Sequence, residues 1–152
     1  MKNRIGLLLF VLSLLLFSAC EKEELKAKDN FIIEFGSVCG WCAGEEKITV
    51  TESKVEYFRE IPCGENAGKT ELSRSFSSED LNDLLGSFEY EHFLSLNYNT
   101  CNVCVDGCDE FIVITKDGET HEIRYNPGIE IEGIEGFQEK LEELLSGFKS
   151  NS

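Results

Sequence analysis

From residue 31 onward, apolar and polar positions follow two rhythms. Phe31-Ile32-Ile33-Glu34-Phe35 reads as a short strand. Residues 47–51 and 54–58 are rich in β-branched and aromatic side chains and flank Glu52-Ser53, which predicts a hairpin. Residues 70–76 alternate weakly and add a further strand. The period then changes. Leu81, Leu84, Leu85 and Phe88 recur at helical spacing, with Ser77 or Ser78 as N-cap and Glu79 and Asp80 in the first turn. Phe93-Leu94-Ser95-Leu96 reads as the start of another strand. Residues 111–115 and 120–125 form the clearest hairpin, because Asp117-Gly118 tolerates positive φ. Asn126-Pro127-Gly128 stops its second strand. A last helix runs from Ile134 or Gly136 to Phe148, with Phe137, Leu141, Leu144, Leu145 and Phe148 on one stripe. The order strands, helix, strands, helix predicts an α+β fold: a largely antiparallel sheet with two amphipathic helices packed on one face.

The first 30 residues follow neither rhythm. Lys2 and Arg4 precede a run from Ile5 to Phe17 interrupted only by Gly6 and Ser13. A basic flank before about a dozen apolar residues is the pattern of a secretory signal, and a permanent span needs roughly 20. Phe17-Ser18-Ala19-Cys20 resembles the lipobox of bacterial lipoproteins, with Phe17 where that family usually has Leu. The resemblance implies cleavage before Cys20 and lipidation, including palmitate, of its thiol; the alternative is an ordinary secreted protein. Lys22-Glu23-Glu24 is similar to the tag that carries some Bacteroidetes lipoproteins to the outer face of the outer membrane. The expected organisation is a signal peptide over 1–19, a lipidated cysteine and charged tether over 20–30, and one compact domain over 31–150. That domain's element order resembles small uncharacterised Bacteroidetes lipoprotein domains, which implies no particular activity. The expected location is the cell envelope, at the outer membrane and surface-exposed or facing the periplasm.

Charge narrows the partners. The formal net charge is −15. The leader holds Lys2 and Arg4 and no acidic residue, which leaves 12 basic against 29 acidic residues, or −17, in the remainder. Such a field repels phosphate backbones and anionic headgroups, so nucleic acid is not an expected partner. Attachment to the membrane then falls to the acyl chains, at about 0.8 kcal/mol per buried CH₂.

Six cysteines follow Cys20: Cys39, Cys42 and Cys63 near the first hairpin, and Cys101, Cys104 and Cys108 before the second. An even number beyond an export signal predicts structural disulfides, whose pairing the sequence leaves open. Two sharper chemistries compete. Cys39-Gly40-Trp41-Cys42 has the Cys-x-x-Cys spacing of a thiol–disulfide oxidoreductase, and its Trp resembles thioredoxin-like proteins, but β-rich residues 48–58 follow where a helix should begin. Cys39 and Cys42 with Cys101 and Cys104 have the spacing of a four-thiolate zinc site.

Other candidates are weaker. Residues 64–70 imitate a phosphate loop without its spacing or its strand–loop–helix setting. His92 and His121 read as surface or sheet residues, and Asp106, Asp109 and Glu110 as solvated acids, not calcium ligands. Trp41 reads as a plug at the core's edge, with an exposed partner anchor as the alternative. Tyr57, Phe58, Tyr90 and Phe93 read as core or sheet. No nucleophile, base and oxyanion group converge, so no catalytic residue, cofactor or resident metal is assigned. The expected function is a lipid-anchored noncatalytic module for a protein or small ligand, or a structural envelope part. Thiol–disulfide exchange and zinc binding are its alternatives.

Overall fold

The structure is a computed structural model, and it describes residues 31–149. The leader, Cys20 and its tether lie outside the described residues, as do residues 150–152. Six strands, β1 (Phe31–Cys39), β2 (Gly44–Val50), β3 (Lys54–Ile61), β4 (Gly68–Ser75), β5 (Cys108–Lys116) and β6 (Glu119–Tyr125), form one antiparallel sheet in the order β4-β3-β2-β1-β5-β6. Three helices, α1 (Ser78–Leu85), α2 (Tyr90–Ser95) and α3 (Glu135–Lys149), pack against it, and a 3₁₀ turn spans Asn102–Val105.

Register explains which face is apolar. Tyr57, Ile48, Phe35, Ile112 and Ile123 stand opposite one another as a row across five strands. Val55, Val50, Ile33 and Ile114 make the adjacent row. Every member of both rows is buried, and each large side chain so placed contributes about 1.5–3 kcal/mol. The opposite face is polar: Lys47 pairs with Glu34 at 3.1 Å and with Glu45 at 3.3 Å, beside Phe58 and Phe111. Partly exposed pairs of this kind are each worth at most about 1 kcal/mol.

The helices cover the apolar rows. In α1, the Ser77 hydroxyl accepts the Asp80 N–H at 3.1 Å, and Leu81, Leu84 and Leu85 are buried. Residues 93–96, expected to open a strand, instead belong to α2 and its C-cap; Tyr90 and Phe93, three apart, turn the same buried side inward. There are therefore three helices where two were expected. Phe137, Leu141, Leu145 and Phe148 bury the stripe of α3. Its end is pinned by Phe148 stacking on Tyr57 at 5.4 Å, while the Tyr57 hydroxyl donates to Glu46 at 2.7 Å and Lys149 pairs with Glu46 at 2.6 Å. None of the helices is long and apolar enough to cross a membrane among the described residues.

Candidate functional site

Antiparallel pairing sorts the connections into two poles. β1 begins at Phe31, beside the end of β5 and the Asp117-Gly118 turn. β1 ends at Cys39, opposite Cys108 at the start of β5. At that second pole also lie the β1–β2 turn, the loop after β3 and the segment leading into β5. All six cysteines beyond Cys20 lie in these parts.

They form three disulfides. Cys39 bonds Cys108 directly across the β1–β5 ladder, with Cα atoms 4.0 Å apart and a sequence separation of 69. Cys42 bonds Cys63, tying the β1–β2 turn to the loop after β3 over a separation of 21. Cys101 bonds Cys104, only three residues on. The expectation of disulfides is met, but both sharper assignments need correction. Cys39 and Cys42 have different partners, in different elements, and form no Cys-x-x-Cys bond with each other. The four-cysteine zinc set is likewise distributed over three bonds, so its sulfurs are not thiolates. Among the described residues no group of three or more His, Cys, Asp or Glu is placed to hold a metal.

The three bonds differ in what they constrain. On the chain-entropy argument, closing the Cys39–Cys108 loop is worth about 4 kcal/mol and the Cys42–Cys63 loop about 3, against about 2 or less for four residues. Cys101–Cys104 therefore restrains the unfolded chain least. It is also the one bond whose two residues are both exposed, on a short loop open to an attacking thiol.

What shapes that loop is Asp109, one residue after Cys108. Its carboxylate accepts the Asn102 N–H at 3.0 Å, the Val103 N–H at 3.1 Å and the Thr100 hydroxyl at 2.7 Å. Asp109 is fully buried, which corrects its reading as a solvated acid. Burial by itself would raise its pKa. The Val103 and Asn102 amides, the Thr100 hydroxyl and the charge of Arg124 outweigh it, and the carboxyl is held below its ordinary value. The turn is completed by the Cys104 N–H donating to the Cys101 carbonyl at 3.1 Å and the Gly107 N–H donating to the Asn102 carbonyl at 2.8 Å. The Asn102 and Val103 amides are thus committed to Asp109, which fixes the backbone between the two cysteines.

The β1–β2 turn rests on this loop. The Gly40 N–H donates to the Gly107 carbonyl at 2.8 Å, and a Cβ on Gly40 would press on Asp106 and the Val103 carbonyl. Trp41 follows in a left-handed conformation, φ 55°, and is 83% exposed. It is no core plug. Its flanking cysteines are pulled toward β5 and the loop after β3, which leaves the indole at the tip. Val105, next to Cys104, is 79% exposed.

The remaining candidates do not converge. His92 and His121 contact the backbone carbonyls of Glu132 and Leu96 at 2.9 and 3.0 Å. Residues 64–67 form a turn that enters β4, a strand, where a phosphate loop needs a helix. Tyr57, Tyr90 and Phe93 are core residues, and Phe58 lies on the polar face of the sheet. A cleft of about 440 Å³ between β4, α1 and α3 holds Arg74, Asp80, Asp83 and Lys140, but Lys140 is paired with Asp83 and Arg74 lies over the Phe148 ring. The buried role of Asp109 was not legible in the sequence: strand parity puts it on the polar face with Phe111 and Val113, and what buries it is the 100–103 segment folding over it. Comparison with protein-family models and with curated proteins finds no match to this chain.

Proposed function

We propose that this protein is an envelope lipoprotein, anchored through Cys20, whose Cys101–Cys104 pair exchanges disulfides with thiols of a partner. The observation that carries the exchange is the exposed disulfide between residues three apart, set in a turn held by a buried carboxylate. A partner thiolate attacks one sulfur, forming a mixed disulfide; the Cys101–Cys104 bond breaks and the released sulfur takes up a proton. A second partner thiol then displaces the first sulfur. The partner leaves as a disulfide, and the pair is left reduced by two electrons and carrying two protons. The lipid anchor rests on the lipobox-like residues 17–20 and on a charge that gives the domain no affinity of its own for anionic membranes.

A noncatalytic binding or structural module is the second reading. The long-range Cys39–Cys108 and Cys42–Cys63 bonds favour it, since they fasten distant segments and carry no local exchange motif. Limited reduction separates the two. The oxidised protein is treated with substoichiometric dithiothreitol, alkylated and mapped by mass spectrometry. Exchange chemistry requires alkylation of Cys101 and Cys104 first, with the other two bonds intact. Simultaneous opening of all three bonds, or earlier opening of either long-range bond, would leave the noncatalytic reading in place.

A further inference from the structure

Trp41 and Val105 are by a wide margin the most exposed large apolar residues among those described; the next, Ile32 and Ile129, are 42% and 41% exposed. Each adjoins the same backbone contact, since Gly40, before Trp41, lies against Asp106, after Val105. Both are tethered through their flanks. Trp41 stands between Cys39 and Cys42, each held by its own disulfide. Val105 closes the 3₁₀ turn that Asp109 fastens from below. An indole held outward at positive φ gains no burial in the isolated chain for its conformational cost. Two exposed apolar side chains beside an exposed disulfide are the arrangement of a recognition surface.

The chain's own geometry says what meets that surface. The tether joins the domain at Phe31, and β1 runs its full nine residues from there to Cys39, about 30 Å at strand rise. Phe31, which follows the expected tether in sequence, therefore lies at one pole and the cysteines, Trp41 and Val105 at the other. Glu60, Glu65 and Asp106 are exposed at this second pole, against Arg59 and Lys69, within a chain of net charge −15. We infer that the Trp41–Val105 pole is a docking surface for a basic, thiol-bearing polypeptide that places an apolar side chain beside its cysteine, on the side of the domain facing away from the membrane. This inference rests on the exchange reading of Cys101–Cys104, and it names the substrate class of that site.

Trp41 is the one tryptophan of the chain, so its emission reports docking separately from chemistry. The full mature protein is titrated with a lysine-rich peptide carrying leucine and phenylalanine around a serine in place of the reactive cysteine. A saturating blue shift is expected. Val105→Ser should weaken binding about tenfold, as loss of an interface anchor does, whereas Ile32→Ser at the anchor pole should leave it unchanged. The cysteine form of the peptide should open Cys101–Cys104 faster than a version with serines for its apolar residues, and Trp41→Ser should abolish that preference. A shift without any opening of the disulfide would support the docking surface and sink the exchange reading. Opening at equal rates with both peptides and no shift would sink the docking surface while exchange stands. A shift produced only by phosphatidylethanolamine–phosphatidylglycerol vesicles would overturn the inference by making the pole a membrane contact.

Discussion

Asp109 couples a buried charge to the shape of the cysteine loop. Its folded-state pKa lies below the ordinary 3.8, because the bound amides and hydroxyl favour the carboxylate. The stabilisation is therefore fully present above the unfolded value and is lost as pH falls through the folded one. In urea titrations, Asp109→Asn should cost about 1–3 kcal/mol at neutral pH, the scale of hydrogen bonds to a charged acceptor. The gap from the parent should narrow progressively below about pH 4. A gap that stays constant through the acid range would mean that the charge does not matter. At Trp41 the same scale shows where sequence reasoning stopped. A lone tryptophan between two cysteines fits a core plug equally well until the cysteines' partners are known, and those partners are 69 and 21 positions away.

Among the elements, local chemistry was legible and long-range pairing was not. The Asp117-Gly118 hairpin follows from its sequence: both residues take positive φ, 52° and 88°. The Ser77 cap, the stripe of α1 and the stripe of α3 were equally readable, because each signal lies within a few turns of helix. β1 was read as ending at Phe35 but continues to Cys39. Gly36 and Ser37 have little strand preference, and β2 and β5 hold them by pairing on both sides. Residues 93–96 read as the start of a strand, and the helix they belong to is hidden because its six residues hold too few turns to display a helical period. Two glycines separate backbone strain from crowding. Gly118→Ala meets open space and carries only the positive-φ penalty, about 1 kcal/mol. Gly44, φ 82°, would in addition drive its new Cβ into the Glu60 carbonyl, so Gly44→Ala should cost more, several kcal/mol by the measure of severe single substitutions. Equal midpoints for the two variants in chemical unfolding would contradict this register.

For the molecule as a whole, the proposed anchor and the cysteine pole have opposite addresses. Cys20→Ser should move the protein from the membrane fraction to the soluble envelope or medium, and the parent should begin at an acylated Cys20 by mass spectrometry. Residues 1–19 still attached in the native host would remove the basis for the lipoprotein reading. The Cys39–Cys108 bond also sets a timetable for a chain exported amino end first. On the proposed export route, Cys42 and Cys63 would follow Cys39 across the membrane early, while its mate, Cys108, would be the last cysteine of the sequence to arrive. An oxidant acting on the emerging segment finds Cys39 beside the wrong neighbours. Correct maturation then demands either late oxidation or an isomerase that undoes early errors.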